Sequence, residues 1–181
     1  MNLTTEAVTL ALPRLATGLS KYLDLQRRLH GTHVSGDRDF QRAFNGFYRV
    51  RRDTAWQEVF YDLLEREKGE RRGFEPVLRE LQTRLGRYEA SFASKLTASV
   101  DPTLPVIDAF VLKNMGLRLP APTSRDRLGA IVDTHRRVAD GYSRLLASDD
   151  GQAVVASFDA AYSESGLTDL KKLDLVLWQI R

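Results

Sequence analysis

Apolar residues recur three and four positions apart along nearly the whole chain, the spacing that lines one face of an α-helix. Leu15, Leu19, Tyr22, Leu23 and Leu29 form one such stripe, Trp56, Val59, Phe60, Leu63 and Leu64 a second, and Phe74, Val77, Leu78, Leu81 and Leu85 a third. The longest passes from Leu128 through Ile131, Val132, Val138 and Tyr142 to Leu145 and Leu146. Ahead of several stripes stand side chains that can accept a hydrogen bond from a free first-turn amide: Asp37, Thr54, Ser124, Asp150 and Thr168. Gly31, Gly69, Gly73, Gly116, Gly151 and Gly166, with Pro102, Pro105, Pro120 and Pro122, supply the breaks. No alternating Val/Ile/Thr/Tyr run reads as a strand. The pattern predicts an all-α compact globule of about eight or nine helices. There is no internal repeat or low-complexity tract, and RLPAPTS (118–124), the one linker candidate, is too short to separate independent domains. Residues 1–181 are therefore read as a single helical domain, with room for two lobes.

Composition sharpens this picture only in places. A chain of 181 residues can bury a core without covalent staples. It has no cysteine, which removes disulfides, thiolate nucleophiles and thiolate metal ligands and suits a reducing compartment. The opening MNLTTEAVTLALPRL lacks a basic leader region and a small-residue cleavage pattern, and no window approaches the roughly eighteen apolar residues that span a bilayer. The expectation is a cytoplasmic protein without a membrane partner. Net charge is +3, unevenly spread: residues 21–52 hold eight Lys or Arg against three Asp. Such a segment invites a polyanion, although a basic face can equally be a solvated one.

Two stretches carry candidate chemistry. In SFASKLTASVDPTLPVIDAFVLKNMGL (91–117), Lys95 and Asp108 are set among apolar residues on either side of a proline-punctuated turn. A new helix is read from near Pro105, with Asp108 in its first turn, where free amides and the helix dipole favour a carboxylate. There it could cap the helix, stabilise a developing positive charge or activate a water. In FNGFYRVRR (44–52), Arg49, Arg51 and Arg52 adjoin Phe47 and Tyr48, combining phosphate-binding cations with flat rings on which an exposed base could stack. The bland alternative makes the stretch a helix start whose rings are core and whose arginines are solvated. His30, His33 and His135 read as structural, and Glu6, Asp53, Asp62, Glu65 and Glu67 as caps or solvated positions. No His, Cys or carboxylate set has metal-ligand spacing, and no glycine-rich phosphate loop or serine-nucleophile elbow appears, so neither a metal nor another cofactor is expected.

Helix, short turn, helix and then Pro105-Val106-Ile107-Asp108-Ala-Phe-Val111 resembles the helix-hairpin-helix DNA glycosylase superfamily, in which a Val/Ile-Asp-x-x-Val segment after the hairpin carries the catalytic Asp. More narrowly, ASKL followed by DPTLPVIDAFVLKNMGL, with FNGFYRVRR and the ending LTDLKKLDLVLWQIR, resembles a small bacterial 8-oxoguanine-glycosylase-like group with a degenerate hairpin. The resemblance covers about residues 40–117 and the last fifteen, and it puts the hairpin and catalytic-Asp region at about 74–117. It implies two helical lobes with a cleft, DNA as partner, excision of a damaged or phage-modified base, and Asp108 as the catalytic carboxylate.

The departures from that pattern are equally specific. The superfamily's Leu-Pro-Gly-(Val/Ile)-Gly hairpin is reduced here to Gly86 within residues 84–95, so the charges of Arg84, Arg87 and Lys95 would replace amide contacts to phosphate. With Ala93 as anchor, the lysine nucleophile of bifunctional members aligns with Ser91, and Lys95 lies one turn later. Lys95 is accordingly either a nucleophile placed by burial, a partner of Asp108 or Asp101, or a phosphate contact. The alternative function is a non-catalytic helical module that binds nucleic acid or a protein partner in a defence or regulatory complex.

Overall fold

The computed structural model describes residues 4–180, without the side chain of Thr5. The first three residues of the N-terminal reading and Arg181 of the C-terminal motif lie outside the described residues. Among these there are nine α-helices and no strand: α1 (Thr5–Gly31), α2 (Arg38–Tyr48), α3 (Thr54–Glu70), α4 (Phe74–Leu85), α5 (Ala90–Val100), α6 (Ala109–Asn114), α7 (Arg127–Leu146), α8 (Asp149–Ala161) and α9 (Asp169–Gln179). The periodicity-based fold class therefore holds. Among the described residues no helix is long and apolar enough to cross a membrane.

The chain divides into two compact units, one of residues 1–16 and 102–181, the other of residues 17–101. The second unit holds the remainder of α1 and α2–α5, with α3, α4 and α5 packed on one another. Its centre is aromatic: Phe40, Phe44, Phe60 and Tyr61 are almost wholly buried, Trp56 stacks on Phe60 at 5.0 Å and 13°, and Phe92 meets Trp56 edge-on at 4.8 Å. Offset and edge-to-face pairs of this kind stabilise beyond the area they bury. The first unit holds α6–α9 and the start of α1, with α9 packed on α6, α7 and α8. Leu173, Val176 and Leu177 of α9, Val111 of α6, Val138 and Tyr142 of α7 and Phe158 of α8 have 1% exposure or less. The Tyr162 hydroxyl donates to the Leu12 carbonyl at 2.6 Å and the Thr168 hydroxyl to the Pro102 carbonyl at 2.8 Å, tying chain segments far apart in sequence.

Helix starts depart from the expected residues in three of five cases. Asp37 and Thr168 cap α2 and α9, but Asp53 rather than Thr54 caps α3, Asp126 rather than Ser124 caps α7, and Ser148 rather than Asp150 caps α8. Each segment offers two or more short polar side chains, and the cap is the one whose oxygen meets an amide two or three residues on; Asp53 accepts from Trp56 N at 2.8 Å. Two glycines expected to break helices do not. Gly69 lies inside α3, which ends one residue later because Arg71 takes a left-handed conformation and the buried Glu67 carboxylate accepts from Arg72 N at 2.9 Å and Arg72 Nε at 2.6 Å. Glu67 is thus a 1%-exposed anchor and not a cap or solvated position.

Gly151 lies in the first turn of α8 and is buried where that turn meets the end of α7; a Cβ there would sit 1.9 Å from the Leu145 carbonyl oxygen. Because backbone cannot step aside as a side-chain tip can, Gly151→Ala is expected to destabilise by at least about 2 kcal/mol, read as a lowered unfolding midpoint in chemical denaturation. Gly129→Ala would instead press on the tip of the Asp126 side chain, and should act mainly through that cap.

Candidate functional site

Both halves of the expected hairpin are helices. α4 ends at Leu85 with Gly86 in the left-handed region (φ 71°), residues 86–89 make the turn, and α5 begins at Ala90. Glycine is needed at the first of these, because a side chain is strained at that φ. Glu89 closes the turn from inside. Only 6% exposed, it accepts from the Trp56 indole N–H at 3.1 Å, pairs with Arg52 at 3.2 Å and pairs with Arg87 at 2.8 Å.

Around Glu89 the second unit gathers much of the DNA-contacting set expected from sequence. The Arg52 guanidinium lies 5.2 Å from the Phe92 ring centre and 5.9 Å from that of Trp56; the Lys95 ammonium lies 5.1 Å from Phe92 and 5.9 Å from Tyr48. Cations over ring faces at these distances are held by the ring quadrupole. Tyr48 is half-buried, 4.6 Å from Phe44, with its hydroxyl 3.4 Å from Ser99 Oγ, and Phe47 packs on Tyr48 at 4.8 Å and on Tyr22 at 5.9 Å. These two rings are thus partly core and partly exposed, between the two readings of FNGFYRVRR. That stretch ends α2 rather than starting a helix: Arg49 is the C-cap residue, held at φ 54°.

Other members of the set stand apart. Arg84 pairs with Asp62 at 2.8 Å on an exposed face, and Arg51 is exposed and makes no ion pair among the described residues. Nothing in the sequence marks Glu89, Phe92 and Trp56 as site residues; the cation–ring distances reveal them, whereas in sequence Glu89 lies 33 residues from Trp56 and 37 from Arg52. Substituting Glu89 by Ala is expected to strip three partners from one buried carboxylate position and destabilise by about 2–3 kcal/mol, measurable as a drop in denaturation midpoint, whereas Glu89→Gln should lose less.

Asp108 belongs to the first unit. Pro105, Val106 and Ile107 are buried, and α6 starts only at Ala109, later than the Pro105 start read from sequence, because Asp108 itself is the N-cap at φ −127°, ψ 153°. Its Oδ1 accepts from Phe110 N at 2.8 Å; Oδ2 accepts from no group among the described residues. The residue is half-buried, leaving one carboxylate oxygen for a water or a cationic centre. Behind it, the fully buried Tyr142 hydroxyl donates to Asp174 Oδ1 at 2.9 Å, and Lys171 donates to Asp174 Oδ2 at 2.7 Å. Burial foremost, then the charges of Asp174 and Asp108, hold the Tyr142 hydroxyl well above its ordinary pKa. Tyr142 therefore stays a neutral donor.

His135 contacts the same segment, with Nε2 3.2 Å from the Pro105 carbonyl oxygen, and burial pushes its pKa down to about 4. The unfolded chain takes up this proton near pH 6.5 and the folded one only near pH 4. Stability is thus full above pH 6.5 and falls as pH drops toward 4, by up to about 3 kcal/mol. Thermal melts across that window should show a slope that His135→Gln removes in part.

No group of three or more His, Cys, Asp or Glu among the described residues could hold a metal ion. Comparison with family models, with curated proteins and with solved structures yields no match to this chain.

Proposed function

We propose that this protein excises a modified base, damaged or phage-derived, from DNA, as the resemblance to helix-hairpin-helix glycosylases implies. The observation that carries this reading is Asp108: a half-buried carboxylate, fixed at a helix start through one oxygen and open at the other, follows a helix–turn–helix and a buried Pro-Val-Ile segment. In the proposed reaction the target nucleotide is flipped out of the duplex. The C1′–N bond breaks and its electron pair leaves with the base. The Asp108 carboxylate stabilises the cation left at C1′, and the water that adds there gives its proton to Asp108. Arg49, Arg51 and Arg52 contact backbone phosphate, Phe47 and Tyr48 offer ring surface, and Lys95 adds positive charge beside them.

A second reading, a non-catalytic module that binds nucleic acid or protein, has one observation in its favour. Arg52, Arg84 and Arg87 are each paired to a carboxylate within the chain, so phosphate contact by them requires exchange of partners. The test is strand cleavage in duplexes carrying oxidised, alkylated, deaminated or phage-type bases, with and without hot alkali. Alkali-dependent breaks support monofunctional excision with Lys95 in a supporting role. Breaks without alkali make Lys95 a nucleophile. Tight binding without cleavage of any duplex selects the second reading.

A further inference from the structure

The first unit carries a groove of about 540 Å³ lined by the end of α6 and the second half of α7. Its walls include Arg137, Asp140 and Arg144 from α7, with Asn114, Met115 and Ser148 around them. Met115 lies against Gly141, with its sulfur 2.9 Å from where a Cβ would stand, so the absence of a side chain on α7 lets the Met115 side chain come close to that helix. Arg137 and Arg144 are seven residues apart, two turns along one helix face, and Asp140 lies between them on the same face. All three are exposed, and none makes an ion pair or hydrogen bond among the described residues. This distinguishes them from most arginines of the chain: Arg136 beside them pairs with Asp133, and Arg66, Arg72 and Arg79 are all bound to glutamates. Two guanidinium groups lining one groove without a carboxylate partner suit the planar, bidentate recognition of phosphate. A carboxylate between them disfavours a bare polyanion and favours a ligand that also carries hydroxyl or amino donors.

We propose that this groove binds the phosphoryl group of a nucleotide, with Arg137 and Arg144 on the phosphate and Asp140 accepting from a sugar hydroxyl or a base amino group. The groove's size suits one nucleotide. None of its residues takes part in the base-excision proposal, so the two stand or fall separately. The phosphoryl group can come from a free nucleotide or from the 5′ end of a DNA strand. Calorimetric titration of the full chain with adenosine 5′-monophosphate, and with a short oligonucleotide with and without a 5′-phosphate, separates the sources. Saturable binding of the mononucleotide supports a free-nucleotide site, and binding that requires the 5′-phosphate on the oligonucleotide supports a strand-end site. In either case Arg137→Gln with Arg144→Gln is expected to weaken the phosphate-dependent binding at least about tenfold. Because both side chains are exposed, the melting temperature of the double variant should match wild type. Asp140→Ala should weaken binding of the mononucleotide while strengthening that of inorganic phosphate, since it removes an acceptor and a repelling charge together. Absence of phosphate-dependent binding, or binding that the double variant retains in full, would overturn the proposal.

Discussion

Asp174→Ala is expected to lower the stability of this protein by about 3–5 kcal/mol. Asp174 is 7% exposed and joins two partners on its two oxygens, the Tyr142 hydroxyl and the Lys171 ammonium, whose side chain is 5% exposed. Alanine would leave that ammonium buried without its carboxylate and the Tyr142 hydroxyl without its acceptor. Both penalties fall on the folded state alone. For a chain of this length the loss corresponds to a fall of roughly 8–15 °C in melting temperature. Asp174→Asn keeps an acceptor for Tyr142 and should lose less, while Tyr142→Phe leaves the ion pair intact and should lose only about 1 kcal/mol plus any packing change. A melting temperature for Asp174→Ala within 2–3 °C of wild type, roughly 1 kcal/mol, would mean that the ammonium finds water or another carboxylate instead.

Asp108→Asn is expected to reduce base release by about 10²–10⁴-fold while leaving DNA affinity within about twofold. The amide oxygen of asparagine can still accept from Phe110 N, and Asn is as good an N-cap as Asp, so α6 should form as before. What disappears is the negative charge facing the sugar cation and the basic oxygen that would take the water's proton. Stability should change by less than about 1 kcal/mol, and the Tyr142 hydroxyl, whose pKa the Asp108 charge helps to raise, should if anything titrate slightly lower. A loss of turnover accompanied by a large loss of stability would instead assign Asp108 to the fold alone, and this is why the unfolding curve of the variant belongs beside its kinetics.

The helical periodicity of the chain made the architecture legible, because an apolar stripe at 3.6-residue spacing reports burial on one face whatever the partner. Cap positions were less legible. Ser148, Asp149 and Asp150 are consecutive candidates, and only the backbone conformation at Ser148, φ −95° and ψ 154°, decides among them. Gly69 and Gly151 show that glycine need not end a helix: the first is tolerated on an exposed face near the end of α3, and the second is required by contact with α7. The acidic residues were least legible. Glu89 is buried because Arg52, 37 residues away, and the Trp56 indole reach it, and spacing along the chain does not encode such a pairing; Glu67 and Asp174 meet cations only five and three residues away, and what the sequence does not mark is that these local pairs are buried. Within the second unit, Tyr48, Arg52, Arg87 and Lys95 were legible as chemistry-bearing types, but their meeting around Glu89 and Phe92 was not, since α2, α3 and α5 come together only through the aromatic core. Asp108 was legible as a carboxylate near a helix start, although the helix begins after it at Ala109 and not near Pro105, because Asp108 takes the N-cap position.

The measurement that bears most directly on the central claim is mass-spectrometric detection of free base in single-turnover reactions of wild-type protein and Asp108→Asn, side by side, on duplexes carrying oxidised, alkylated, deaminated and phage-type bases. Base excision by Asp108 predicts release of at least one modified base by wild type and its loss by two or more orders of magnitude in the variant, at equal occupancy of the DNA. Release at the same rate by both proteins, or no release by either under saturating binding, would contradict it.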